Sequence, residues 1–169
     1  MEDQYQMKKK NVISLLVFTM VICFSTQIRT DASSAETFIS KECQAYCEEV
    51  GKAYGICPEL LEAIMESESS GNPRAVNGNC KGLMQVNVTY HQDRMERLGV
   101  ADIYDSKGNV QLAADYLLEL FEEYGDVGTV LMLYNGSRDA LERGARGDYT
   151  EYASKIMRRS EQLERFHGK

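Results

Sequence analysis

The chain has 169 residues, 43% of them hydrophobic and 27% charged, and 19 Lys and Arg stand against 26 Asp and Glu for a net charge of −7. That length and composition fit one globular domain and exclude disordered, collagen-like and multidomain readings. An acidic chain lacks the basic stripe that neutralises a row of phosphates, so nucleic acid is excluded as a generic partner.

Residues 1–35 read as a targeting segment. Lys8, Lys9 and Lys10 precede an apolar run, 12–24, interrupted only by Ser14 and Thr19. As a helix that run would rise about 20 Å, short of the ~30 Å hydrocarbon core of a bilayer. A cationic start, a short apolar stretch and then Asp31-Ala32-Ser33-Ser34-Ala35 form a secretory pattern, with cleavage after Ala32 or Ala35. The alternative is an uncleaved anchor, a membrane tether through residues 12–28. Either way the domain at 36–169 is expected to be exported, and so secreted or associated with the cell envelope. It keeps 15 basic and 23 acidic residues, a net charge of −8, and is long enough for one modest core.

Cys43, Cys47, Cys57 and Cys80 remain beyond the leader. An even count in an exported chain predicts two disulfides, with three connectivities left open. A Cys43–Cys47 bridge would join i and i+4 of one helix, whereas bridges from Cys57 or Cys80 to that helix would constrain more chain. The spacings lack the paired C-x2-C knuckles of a structural zinc site, and His91 and His167 are the only histidines, so no metal is expected.

Ile39, Cys43, Tyr46, Val50 and Ala53 recur at three and four, predicting an amphipathic helix from about Glu36 to Tyr54, stopped by Gly55. Pro58 opens a second helix with Leu60, Leu61, Ile64 and Met65 on its inner face, ended by Gly71-Asn72-Pro73. A polar loop, 77–81, leads to Leu83-Met84-Gln85-Val86, and Asp93 and Glu96 follow in a helix that reads as solvent-facing. Asp105 to Asn109 is a turn and helix start, and the longest clean helical period runs from Val110 to Tyr124. Gly125 closes that helix; another carries Val130, Leu131, Leu133 and Tyr134, and Glu151 to Phe166 is a last, charged one. No strand pattern of convincing length appears, so the fold class is mainly α.

Glu68 is the residue with chemical promise. It lies three, four and seven residues beyond Met65, Ile64 and Leu61, and so continues the apolar face, while Glu66, some 200° away, points elsewhere. A carboxylate on an apolar face is costly to ionise, which suits a general acid at a glycosidic bond. Pairing with Arg74, or capping a neighbouring helix, is the plain alternative.

The words around Glu68 add to this: Glu68-Ser69-Ser70-Gly71-Asn72-Pro73, then Gly82-Leu83-Met84-Gln85, then Leu133-Tyr134-Asn135-Gly136. In that order, over about residues 56 to 152, the chain resembles the lytic transglycosylase (SLT) family of the lysozyme-like superfamily. Glu66-Ser67 is also a Glu-Ser pair, but its offset to Asn72 is two residues too long. The resemblance implies a single lysozyme-like, goose-type-like domain acting on peptidoglycan, with Glu68 as sole catalytic acid/base and no cofactor. It implies that Ser69 hydrogen-bonds near that glutamate, that Met84 and Gln85 are cleft residues, and that Tyr134 faces the glutamate. It further implies that Asn135 fixes the turn or contacts glycan and that Tyr152 lines the cleft. Core packing is the alternative for Met84 and Tyr134. Leu133 stands where many members carry Ala, and Asn87 where long periplasmic members often carry Met.

Hydrolytic glycosidases use two carboxylates, and nothing places Asp93 or Glu96 opposite Glu68. Transglycosylation needs one, because the acid, once deprotonated, serves as base for the muramic acid C6 hydroxyl. The product implied is a 1,6-anhydromuramoyl end cut between MurNAc and GlcNAc. Competing readings are a hydrolytic goose-type-like muramidase and a low-turnover peptidoglycan-binding scaffold. A role beside a secretion or conjugation machine also stays open.

Overall fold

The computed structural model describes residues 37–169, which form one compact unit. The leader expected at residues 1–35 lies outside the described residues. In chain order the helices are α1 Lys41–Tyr54, α2 Pro58–Ser69, α3 Gln92–Leu98, α4 Ser106–Tyr124, α5 Val127–Tyr134, α6 Ala140–Ala145 and α7 Glu151–His167. Between α2 and α3 runs a small antiparallel sheet of two-residue strands in the order β1 (Val76–Asn77), β2 (Cys80–Lys81), β3 (Val86–Asn87). Val76 pairs with Lys81 and Asn77 with Cys80; on the other side Cys80 pairs with Asn87 and Lys81 with Val86. Strands of two residues are too short to show alternation, which is why the segment read as loop. No helix among the described residues is long and apolar enough to cross a membrane.

Helix starts are set by side-chain caps. Ser40, Asp105, Asp126 and Thr150 each accept a hydrogen bond from the backbone N–H three residues on, an arrangement that contributes ~1 kcal/mol per helix. The Ser40 cap starts α1 five residues later than the periodicity predicted, although Ile39 is still buried. The inward face of α1 is Cys43, Cys47, Val50 and Gly51, and Ala53 is exposed.

The middle of the fold is α2. Its residues from Glu59 to Met65 and on to Glu66 are all buried, because α1 packs on one side and α7 on another. Leu61, Ile64 and Met65 meet Leu83, Met84, Leu112, Leu117, Leu131, Met132, Ile156 and Leu163 in one continuous core, each such side chain stabilising the fold by roughly 1.5–3 kcal/mol.

Sealing α2 also buries Glu59, Glu62 and Glu66, a finding that corrects the outward orientation inferred for Glu66. Arg159 of α7 grips Glu66 through Nε at 2.6 Å and a terminal nitrogen at 2.9 Å, and the Thr37 hydroxyl donates to it at 2.7 Å. Burial opposes ionisation of Glu59, yet hydrogen bonds from Lys169, His167 and the Cys57 thiol outweigh it and hold its carboxyl at about 2. Glu62, one turn away, has one carboxylate oxygen with no partner. Burial pushes its carboxyl up to about 7, with Glu59 and Glu66 adding to the effect and His167 and Lys169 opposing it.

Among the described residues the four cysteines are free thiols, contrary to the expected pair of disulfides. Cys43 and Cys47 share the buried face of α1, Cys57 is exposed at the start of α2, and Cys80 sits in β2. The elements thus spread the sulfurs over three places, and the Cys57 thiol donates to Glu59 at 3.1 Å.

A carboxyl raised from 4.5 to about 7 on folding costs nothing below the lower value and most above the upper one. Glu62→Gln keeps the shape and removes that charge. In urea denaturation the variant should gain roughly 3 kcal/mol over wild type at pH 8 and almost nothing at pH 4. An equal difference at both pH values would contradict the assignment.

Candidate functional site

Four elements converge on one face: the last turn of α2 with Glu68, the β2–β3 loop with Met84 and Gln85, the end of α5 with Tyr134 and Asn135, and the first turn of α7 with Tyr152. The Tyr152 hydroxyl donates to the Glu68 carboxylate at 2.5 Å. Glu68 makes no ion pair among the described residues, and Arg74 instead lies over the Tyr104 ring at 5.6 Å. Burial raises the Glu68 pKa and the Tyr152 hydrogen bond opposes that rise; the net direction is upward. The carboxylate charge acts in turn on Tyr134, Tyr152 and Cys80, each of which is already raised by burial.

A cavity of about 310 Å³ opens beside this cluster. Gln85, Tyr134 and Asn135 line it, together with Cys80, His91 and Tyr116. The aromatic wall is continuous: His91 packs on Tyr116 with ring centroids 4.6 Å apart, and Tyr116 on Tyr134 at 5.8 Å. Such a surface of half-buried rings with amide and hydroxyl groups suits a neutral polyhydroxylated ligand, which offers both C–H faces and hydroxyl edges. Among the described residues no group of three or more His, Cys, Asp or Glu could hold a metal ion.

The residues singled out from sequence fall into distinct roles. Glu68 and Tyr152 touch; Gln85, Tyr134 and Asn135 line the cavity. Met84 is wholly buried, so its side chain belongs to the core and only its backbone reaches the site, its carbonyl accepting the Tyr134 hydroxyl at 2.7 Å. Ser69 donates to the Met65 carbonyl at 3.3 Å rather than to the glutamate. Gln85 adopts φ 49, in the left-handed region, and its amide nitrogen donates to the carbonyls of Gly82 at 2.9 Å and Ala75 at 3.2 Å. Asn135 caps the end of α5. Asp93 and Glu96 are exposed on α3. Sequence reasoning missed Cys80, His91 and Tyr116 as wall residues. Tyr116 was visible only as one more apolar position of α4, and no periodicity marks a half-buried cavity wall.

The transglycosylase SLT domain model matches residues 45–157 of the chain. A transglycosylase of Enterobacteria phage PRD1 is 35% identical over 106 residues, covering 62% of this chain and 38% of the relative. An endo-type membrane-bound lytic murein transglycosylase A of Salmonella paratyphi B is 32% identical over 115 residues, covering 62% of this chain and 57% of the relative; its counterpart in Salmonella enteritidis gives the same figures. The chain therefore spans less than two thirds of the length of these relatives.

The balance at Glu68 can be measured directly. Tyr152→Phe removes the group that favours the ionised carboxylate, at a cost of ~1.5 kcal/mol or more to that form. The ¹³C NMR titration midpoint of the Glu68 carboxyl should then rise by ~1 unit. An unmoved midpoint would show that the phenol does not tune it.

Proposed function

Because the chain belongs to the transglycosylase SLT domain family, we propose that it is a peptidoglycan lytic transglycosylase with Glu68 as its single acid/base. The observation that carries this reading is the state of Glu68: partly buried, without an ion pair among the described residues, hydrogen-bonded to a neutral phenol and set beside an aromatic cavity. A raised pKa keeps a carboxyl protonated at higher pH, where it can give its proton to the glycosidic oxygen between MurNAc and GlcNAc.

Proton transfer from Glu68 lets the bond from C1 to the leaving oxygen break, and positive charge develops at C1. The resulting carboxylate then takes the proton of the C6 hydroxyl on the same muramic unit while that oxygen bonds to C1. Glu68 ends as it began, no water is consumed, and the product carries a 1,6-anhydro ring. Tyr152 serves the middle of this cycle, since its hydrogen bond strengthens when the carboxyl becomes charged. Gln85, Tyr134, Asn135 and Tyr152 would orient the sugars. Ser69 and Met84 would act from behind through the helix end and the loop backbone.

The substrate places the domain outside the cytoplasmic membrane, which agrees with residues 1–35 acting as an export signal or with 12–28 as a tether. The Salmonella relatives bear a membrane-bound name. An excess of negative charge favours transient rather than ionic adhesion to an anionic wall. A role beside secretion or conjugation machinery would use the same activity to open the wall locally.

Mass spectrometry of murein digested by the protein should show anhydro-ended muropeptides. Glu68→Gln should lower their release by about 10²–10⁴-fold while leaving the circular dichroism spectrum unchanged. The wild-type rate should fall as pH rises through the Glu68 pKa, because the acid form is the one that starts the reaction. Reducing ends in place of anhydro ends would establish hydrolysis instead, and murein binding without any released fragment would establish a scaffold.

A further inference from the structure

One fully buried polar side chain outside the residues just described holds the backbone of the loop that carries two of them. Asn109, in the first turn of α4, is 0% exposed. Its Oδ1 accepts the Met84 N–H at 2.8 Å, and its amide nitrogen donates to the carbonyls of Lys81 and Ile103, both at 3.0 Å. Every partner is backbone, and two of the three belong to the segment 81–84. The contact requires a glycine at 82: a Cβ there would lie 2.4 Å from the Asn109 amide nitrogen, and Gly82 has φ +80.

The next links lead to the site. Met84, whose N–H Asn109 holds, has its carbonyl held by the Tyr134 hydroxyl. Two consecutive peptide groups are thus clamped, one from α4 and one from α5. Gln85 follows at once, in a left-handed conformation that a non-glycine residue keeps only when its surroundings impose it.

We infer that Asn109 is a positioning residue that sets Tyr134 and Gln85 against Glu68 by fixing the backbone at Met84. This rests on reading Glu68 as the acid. A buried amide matches the task because it offers an acceptor and two donors without charge. With it truncated, the Met84 peptide loses its anchor, the Tyr134 hydroxyl loses a fixed partner, and water reaches the wall that keeps Glu68 desolvated.

The test compares Asn109→Ala and Asn109→Asp with Leu120→Ala, a core truncation near the far end of α4. The readouts are the ¹³C titration of the Glu68 carboxyl and the kcat and KM of murein cleavage, taken where circular dichroism shows each protein folded. In Asn109→Ala the Glu68 midpoint should fall toward the ordinary carboxylate value of ~4.3, and kcat should drop 10- to 100-fold with little change in KM. Leu120→Ala should move neither. In Asn109→Asp a protonated carboxyl can still accept from Met84 and donate one hydrogen bond, so activity should be restored at acid pH and lost as that group ionises. This variant, held at pH 5, serves if Asn109→Ala does not fold. A wild-type midpoint and kcat in folded Asn109→Ala, an Asn109→Asp activity that tracks wild type at every pH, or the same changes in Leu120→Ala, would overturn the inference. A wild-type protein that releases nothing from murein would overturn the reading of Glu68, and the titration would still decide the role of Asn109.

Discussion

The structure is organised around a helix buried on nearly every side that nonetheless carries four glutamates. Once α1 and α7 close over α2, Glu59, Glu62, Glu66 and Glu68 cannot all rely on water, and each must be answered by something the fold supplies. Glu59 receives Lys169 and His167, and Glu66 receives Arg159. Glu68 receives Tyr152, and Glu62 is left with an oxygen that has no partner. All three answers come from α7 and Lys169 just beyond it, so the last helix does more than cover apolar surface. Removing one partner of a buried pair such as Glu66–Arg159 typically costs 3–5 kcal/mol, and α7 is correspondingly hard to dispense with.

From the end of that helix the geometry passes to the loops. The chain leaves α2 through Ser70 and Gly71, both at positive φ, and turns into the small sheet. The sheet contributes little core of its own. Its function is to aim the four-residue connection between β2 and β3 at the end of α2, and Asn109 and Tyr134 tie that connection to the two long-range helices α4 and α5. The cavity therefore has a wall made of loop and a frame made of helix, a combination that holds side chains more firmly than a free loop would.

What could be read from the sequence divides along the same line. Periodicity located α2, α4, α5 and α7 and the inward faces of Leu61, Ile64 and Met65, because a helix repeats its burial every turn. It also put Glu68 on a semi-buried face, and the order of short motifs brought Gln85, Tyr134, Asn135 and Tyr152 to it. Periodicity failed where burial comes from a neighbour distant in sequence. Glu66 read as outward because nothing local announces that Arg159, 93 residues on, will lie against it. Met84 read as a cleft residue because a motif names a position without saying whether its side chain or its backbone is used. Cys57 and Cys80 read as bridge partners from their number alone, and a count of sulfurs carries no geometry.

The same helix shows why a tyrosine, rather than a cation, faces the glutamate at its end. On α7, Tyr152 and Arg159 are seven residues apart and so share a face; one meets Glu68 and the other Glu66. A guanidinium on Glu68 would stabilise the anion strongly, as the Lys169 ammonium at the other end of α2 helps to do for Glu59. A carboxyl so held has no proton to give. The phenol stabilises the anion less, and two other influences oppose it: burial, and the negative end of the α2 dipole, whose last turn holds no basic residue. Burial alone would not suffice either, as Glu62 shows by being desolvated in the middle of the helix, away from the cavity. The last turn of α2 combines a dry flank with a neutral donor, and Glu68 stands there, its charge felt by Tyr134 and Cys80 of the cavity wall.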